Sequence, residues 1–470
     1  MALKAKGGGT RWTFVLVPGV LVYCVPIPGL NPAQRHLLAI FLATIISMVA
    51  QPVPMSVSVF LSITILALTR TLPANRVLSG FANPTVWLVF AATLFSRAVI
   101  STGLGLRLAY FFISRFGHTA LRLAYSLAAA VTVLAPVVPS DTARGGGIIY
   151  PITRSLAQVF DSEPGPTARR LGSFLMLGAF HCGYLTSAMF LTGMSGNLIT
   201  IELARKIAHV DLGWMTWFVG ASVPGLLSLL FVPYVIYRVH PPELRDTKSA
   251  SALAGDQLRK MGKISRNERW LTLILVAAMA GWITTLWHGT PIVIVALAGV
   301  CALLLTGVLT AQDLLTETKA WDVLIWFAGV LMMAEALQDS GVIGVISASV
   351  VGHIKSWPWW QALAVLVIAY VYAHYTFASM TAQITALFPS FLSAALLAGV
   401  SPMLAVLPFA YFSNLNAGLT HYGTGSAPIF FGSGYVSQGT WWKVGFVVSL
   451  VNLVIWLGIG PLWWKLAGLW

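Results

Sequence analysis

PTVWLVFAATL, residues 84–94, returns in outline as WDVLIWFAGVL at residues 321–331. Each run leads into a glycine turn, TGLG at 102–105 and SGVIG at 340–344. Farther along, PSDTAR at 139–144 matches ASMTAQ at 378–383, which pairs Ser140 with Ser379 and Thr142 with Thr381. The offset is 237 residues at the first match and 239 at the last. A repeat carried on membrane spans is the mark of alternating-access carriers, whose site lies where discontinuous helices of the two halves meet.

The composition requires a membrane as solvent. Of 470 residues, 57% are hydrophobic and 9% charged, against roughly 25% charged in soluble domains. A membrane crossing takes about 20 apolar residues. Apolar runs fall near 12–28, 36–50, 53–70, 84–101, 104–116, 120–138, 171–192 and 213–238, then near 270–287, 291–309, 322–338, 341–354, 358–377, 402–413 and 441–464. The fold expected is an all-α polytopic membrane protein of about eleven crossings, given the 17–25 residues each needs. Residues 1–35 form an N-terminal segment and first helix. Residues 36–238 form the first repeat, with a hairpin near 120–160. A basic loop, 239–269, separates it from the second repeat, 270–470, with a hairpin near 358–398.

The formal charge of +14 is dispersed between spans, so it reads as topology and not as a nucleic-acid surface. Lys4, Lys6 and Arg11, and the loop with Arg245, Lys248, Arg259, Lys260, Lys263, Arg266 and Arg269, are expected on the cytoplasmic side. Cys24, Cys182 and Cys301 lack metal-ligand spacing, and no cofactor or catalytic motif such as HExxH or GxSxG is present.

Four segments mix polar residues with Gly or Pro between apolar flanks: 137–147, 191–198, 374–383 and 416–434. Non-helical backbone at membrane depth is tolerated only where protein buries it or water reaches it, so each should line a cavity. A helix starting after Ser140 or Ser379 would offer free N–H groups and a partial positive end to an anion. Arg144 adds a permanent charge with donors suited to a carboxylate; Gln383 stands in its place in the other half. Membrane Ser and Thr also bond backbone carbonyls, and His421 as well as His181, His374 and Asn197 could be packing groups.

PSDTARGGGIIYPI, HYTFASMTAQ and SNLNAGLTHYGTGSAPIFFGSGY resemble the divalent anion/sodium symporter family, most of all its exchanger branch. The resemblance runs over nearly the whole chain. It implies Ser-Asn-Thr motifs at the tips of two re-entrant hairpins in an inverted repeat, an elevator-type transport domain on a scaffold domain, and a homodimer in a bacterial inner membrane. It also implies a small di- or tricarboxylate such as 2-oxoglutarate, malate, succinate or citrate as substrate. The site then comprises Ser140, Asp141, Thr142, Arg144, Asn197, Ser379, Met380, Thr381, Thr420, His421, Gly423 and Thr424. Neither motif keeps the middle Asn: Asp141 and Met380 stand there. In the exchanger branch an Arg and a His, at the positions of Arg144 and His421, supply the charge that sodium supplies in symporters. Sodium-independent exchange is the expectation, with sodium-coupled symport as its nearest rival.

Overall fold

Side-chain caps start several of the helices. Asn31 accepts from Gln34 N at 2.9 Å while Gln34 Oε1 accepts from Asn31 N at 2.8 Å, a capping box ahead of Pro32. Asn83 accepts from Thr85 N at 2.9 Å ahead of Pro84, and Ser265 with Glu268 closes another box. These contacts satisfy N–H groups that a helix start leaves without intrahelical partners.

The computed structural model describes residues 8–345 and 357–470. Lys4, Lys6 and most of the expected span 341–354 lie outside them. The main helices are α1 (Gly8–Cys24), α2 (Pro32–Ala50), α3 (Met55–Leu68), α4 (Pro84–Thr102), α5 (Leu104–Phe116), α6 (Ala120–Leu134), α7 (Tyr150–Val159), α8 (Gly172–Met189) and α9 (Ser195–Ala208). They continue as α10 (Trp214–Val239), α11 (Lys248–Lys260), α12 (Arg266–Ile283), α13 (Ile292–Leu305), α14 (Thr318–Asp339), α15 (Trp359–Ala373), α16 (Met380–Leu397), α17 (Pro402–Leu415) and α18 (Gln438–Leu466). Among the described residues, α2, α4, α10, α14, α16 and α18 are long and apolar enough to cross a membrane by themselves. The spans read from hydropathy omitted α16, because its start carries the polar Thr381 and Gln383 and its middle carries Pro389.

The element order of the first half recurs in the second. Gly103 after α4 and Gly341 after α14 are both left-handed, φ 78° and 81°, a conformation that favours glycine. Next comes a helix–break–helix unit: α6, the π-helical turns Thr142–Ile149 and α7 in one half, α15 and α16 in the other. A helix broken in the middle follows, α8 and α9 parted at residues 190–194, and α17 ending in the loop 416–426. Each half ends on a long helix, α10 or α18.

Packing separates two groups of helices. Every residue of α8 is buried, and α6, α7, α10 and α17 pack around it while α9 packs on α16 and α17. In the other group α14 packs on α2, α3 and α4, and α13 on α4 and α12. The groups meet where α2 and α14 touch α16, and where Lys206 of α9 pairs with Glu335 of α14 at 2.6 Å. Between α2 and α16 lies an apolar cavity of about 600 Å³, lined in part by Phe41, Ile45, Phe377, Leu387 and Phe391.

The expected basic loop contains a helix of its own, α11, whose Ala250, Ser251 and Ala254 are buried as it packs on α5. Small residues at this spacing let an otherwise polar helix lie close to its neighbour. Arg107 of α5 fixes the end of the loop. Its Nε donates to Glu268 Oε1 at 2.6 Å, Nη2 donates to Glu268 Oε2 at 3.2 Å, and Nη1 donates to Gly262 O at 2.9 Å. Glu268 is 3% exposed, so this bidentate pair is little screened. Glu268→Gln is expected to cost about 1.5–3 kcal/mol, the range for a lost charge-assisted bond. The readout is a lower melting temperature in detergent; an unchanged value would show that the pair does not anchor the loop.

Candidate substrate site at the helix breaks

A helix that stops inside the protein leaves carbonyls without N–H partners, and no water is at hand to replace them. Here buried side chains do so. Arg144, fully buried, donates through Nη1 to Val138 O at 2.6 Å and Gly193 O at 3.1 Å. Its Nη2 donates to Gly183 O at 3.1 Å and Ser187 Oγ at 2.5 Å. One guanidinium thus ties the break before Asp141 to α8 and to the break that follows it. Asn197 covers the end of α8, donating from Nδ2 to Ser187 O at 2.9 Å and Phe190 O at 3.0 Å, while its Oδ1 accepts from Asn414 Nδ2 at 2.7 Å.

The second half solves the same problem with neutral groups. Gln383, also fully buried, donates to Tyr370 O at 2.6 Å, and its Oε1 accepts from Asn416 Nδ2 at 2.6 Å. The two ring nitrogens of His374 lie 2.6 Å from Gln383 Oε1 and 2.9 Å from Gly423 O. Ser140 and Ser379 act alike: each hydroxyl accepts from the backbone N–H three residues on, Ala143 at 3.2 Å and Ala382 at 3.4 Å. The pairing read from the repeat therefore holds at the level of hydrogen bonds, Ser140 with Ser379 as caps and Arg144 with Gln383 as ties.

Asp141 is buried and points toward the loop after α17. Its Oδ2 accepts from Thr424 Oγ1 at 3.2 Å and from Ser426 Oγ. Its Oδ1 lies 4.0 Å from Arg144 Nη2, a loose ion pair. Gly425 sits between these two hydroxyls, and a Cβ there would run into Thr142 Oγ1, so only glycine permits this approach. Trp442 Nε1 donates to His421 Nδ1 at 3.1 Å. An indole can only donate, so the half-buried His421 accepts at Nδ1 and offers Nε2 as its donor.

The four polar segments singled out in the sequence therefore meet, and the loop 416–426 joins them: Thr424 and Ser426 reach Asp141, and Gly423 and Asn416 reach His374 and Gln383. Thr142 and Gly425 are exposed, and Ser140, Ser379 and His421 are partly so. Asp141, Arg144, Asn197, Met380, Thr381, Thr420, Gly423 and Thr424 are buried. Arg144 Nε, Thr420 Oγ1, Asn414 Oδ1, Asn416 Oδ1 and His181 Nε2 are buried without a hydrogen-bond partner among the described residues. Such orphans in a native interior call for a ligand or water. Among the described residues no cluster of three His, Cys, Asp or Glu side chains could hold a metal ion. The sequence reading missed Ser187, Asn414 and Trp442, and it included Asn416 and Ser426 in its fourth segment without giving them a role. The two asparagines stand in the SNLNAG run at 413–418, where polar amides in an apolar helix are themselves a signal.

An all-helical chain with long apolar helices and irregular polar backbone gathered in its interior is a membrane transporter. The sodium:sulfate symporter transmembrane region, as a family, matches residues 10–470, and the chain belongs to that family. It is 42% identical to YflS of Bacillus subtilis, a transporter named for malate, over 99% of each chain. It is also 42% identical to dicarboxylate transporter 1, chloroplastic, of Spinacia oleracea, covering 97% of this chain and 81% of that one. Inner membrane protein YbhI of Escherichia coli is 32% identical, with 97% of each covered. The fold is shared with the solved YdaH transporter of Alcanivorax borkumensis, TM-score 0.54 at 15% identity over 98% of each chain. It is shared also with MtrF of Neisseria gonorrhoeae, TM-score 0.60 at 13% identity over 97% and 94%. The chain is a transporter and not an enzyme.

Arg144→Lys tests whether the guanidinium holds the breaks. An ammonium cannot span acceptors on three segments as a planar fork does, and each buried acceptor left bare costs about 1–3 kcal/mol. The variant is expected to melt at a markedly lower temperature than wild type, and Gln383→Glu, which keeps the length of its side chain, to melt lower as well. An unchanged melting temperature in Arg144→Lys would show that the four contacts are dispensable to the fold.

Proposed function

We propose that this protein carries small di- or tricarboxylates by alternating access, as an obligate exchanger that needs no sodium. The observation that carries the reading is the meeting of four broken segments, two of them tied by the buried Arg144 guanidinium and two by Gln383, with hydroxyls at the accessible rim. In this reading Ser140, Thr142, Ser379, Thr381, Thr420 and His421 offer donors to the carboxylates, and Thr424, whose hydroxyl donates to Asp141, borders the site. Arg144 contributes charge from behind, its Nε unpartnered among the described residues, while Asn197, Met380 and Gly423 shape the walls. The relatives named for malate and for dicarboxylates support the choice of substrate.

The helix–break–helix units at 120–159 and 359–397 act here as re-entrant hairpins in an inverted repeat of about eleven crossings. The group around α8 moves as an elevator against the group around α14, within a homodimer of a bacterial inner membrane whose N-terminus is cytoplasmic. The separate packing of the two groups supports such a motion, and the Lys206–Glu335 pair would have to break or re-form in it.

Exchange follows from electrostatics: a charge that belongs to the protein cannot leave with the substrate. An uncompensated arginine at mid-membrane costs about 2.5–3.5 kcal/mol, which slows return of an empty site about a hundredfold. One observation favours a second reading. Asp141, 4.0 Å from Arg144, offsets that charge when the site is empty, so net transport with a proton taken up on Asp141 is the alternative.

Proteoliposomes loaded with buffer or with unlabelled malate separate these modes when labelled malate enters at zero membrane potential. Exchange requires uptake only into malate-loaded vesicles and no loss when choline replaces sodium. Equal uptake in both preparations defeats exchange, and a severalfold fall without sodium establishes symport. Asp141→Asn keeps a group that can accept from Thr424 and Ser426, and it removes the only carboxylate facing Arg144 among the described residues. Transport by this variant is expected to persist with a flatter pH profile; abolished transport in a folded protein would make the carboxylate itself the coupling group.

A further inference from the structure

Outside the site, one cavity combines unpaired positive charge with apolar walls. It lies between the C-terminal end of α5 and the start of α6, has a volume of about 560 Å³, and is lined by Phe112, Arg115, Phe116, His118, Arg122, Tyr125, Ser126 and Ala129. We propose that this groove binds an anionic phospholipid, its phosphate held by Arg115 and Arg122 and one acyl chain laid along α6.

The groove is polarised along its length. Arg115, His118 and Arg122 cluster at the turn between the helices and are exposed. Away from the turn the walls pass to Phe112 on α5 and to Tyr125, Ser126 and Ala129 on α6. Residues 122, 125, 126 and 129 share one helix face, and the seven steps between the first and last span about 10 Å at 1.5 Å per residue. Arg115 and Arg122 donate to no carboxylate or carbonyl among the described residues, and Arg115 rests 5.9 Å above the Phe111 ring. Asp246, which bridges to Thr119 beside the turn, is paired with Lys248 at 3.5 Å. No acidic side chain lines the groove. Two guanidiniums with free donors match a phosphodiester, whose oxygens they can bind in a fork.

The position suits a lipid and not a soluble anion. Backbone bonds from Ala120 N to Arg245 O at 2.9 Å and from Thr247 N to His118 O at 3.1 Å tie the turn to the basic linker. The basic end therefore lies beside the polar segment between the repeats. The apolar end opens toward exposed Val133 of α6 and Leu230 of α10, where Tyr125 Oη donates to Leu230 O at 2.6 Å. Exposed aliphatic groups on helices of a membrane protein face acyl chains. The proposal holds whatever the transported substrate is.

Native mass spectrometry of the purified full-length protein tests it, with phosphatidylglycerol and phosphatidylcholine of identical chains as probes. Wild type is expected to retain phosphatidylglycerol in preference to phosphatidylcholine. Arg115→Gln with Arg122→Gln should lose most of that preference, about fivefold for each arginine, which corresponds to about 1 kcal/mol. Arg115→Lys with Arg122→Lys should keep much of it, and Ala129→Phe, which fills the apolar end and spares the charges, should weaken retention. Melting temperatures of all variants, compared with wild type, separate loss of the site from loss of the fold. Inorganic phosphate at millimolar concentration should leave the bound lipid in place. Equal retention of the two lipids by wild type, an undiminished preference in the folded Gln variant, or displacement by phosphate alone would each overturn the assignment.

Discussion

Backbone carbonyls set free by helix breaks, in an interior that water does not fill, are the constraint on which this structure depends. A carbonyl buried without a partner is costly, and the breaks after α6, between α8 and α9, after α15 and after α17 expose several at once. Arg144 meets those of Val138 and Gly193 and also reaches Gly183 O within α8, Asn197 meets those of Ser187 and Phe190, and Gln383 meets that of Tyr370. Trp217 Nε1 adds a bond to Ala188 O at 2.9 Å, and Thr192 Oγ1 one to Pro136 O at 2.6 Å. The bonds to Gly183, Gly193, Ala188 and Pro136 join residues 29 to 56 positions apart, so satisfying the breaks also helps to assemble the site.

The two halves meet this constraint with the same geometry and different charge. Ser140 and Ser379 cap their helices alike, yet the tie four residues later is a cation in one half and an amide in the other. Electrically the site is therefore lopsided, with Arg144 and Asp141 on one side and Gln383, His374 and Asn416 on the other. Asp141 is restrained by the hydroxyls of Thr424 and Ser426, which belong to the second half. Any movement of the loop 416–426 would change the field around Arg144, which couples the halves without a direct bond between their motifs.

Burial distributes the remaining roles. α8 is covered on every side, and a closely packed helix lets the breaks around it hold their geometry. Faces turned outward carry aliphatic residues at ordinary membrane density, and the basic groove between α5 and α6 departs from that pattern. There the same helices that lead into the first break present a charged lip, so a lipid bound in it would touch α6, the helix that leads into the break before Asp141.

Hydropathy and spacing alone determined the membrane class, nearly all the apolar helices, the repeat with its two glycine turns, and the four polar segments that would come together. These are legible because they depend on local composition: a span needs apolar length, a left-handed turn favours glycine, and broken helices collect polar residues. Tertiary structure decided where each polar side chain points. Arg144 and Asn197 read as ligands by type, yet the Arg144 Nη atoms and the Asn197 amide donate to protein groups around the breaks. His421 became a donor through Nε2 because Trp442, 21 residues away, occupies Nδ1, and α11 became a helix because small residues met a neighbour in α5. A hydrogen bond has a direction and needs a partner in space, and neither is written in the order of residues along a single chain.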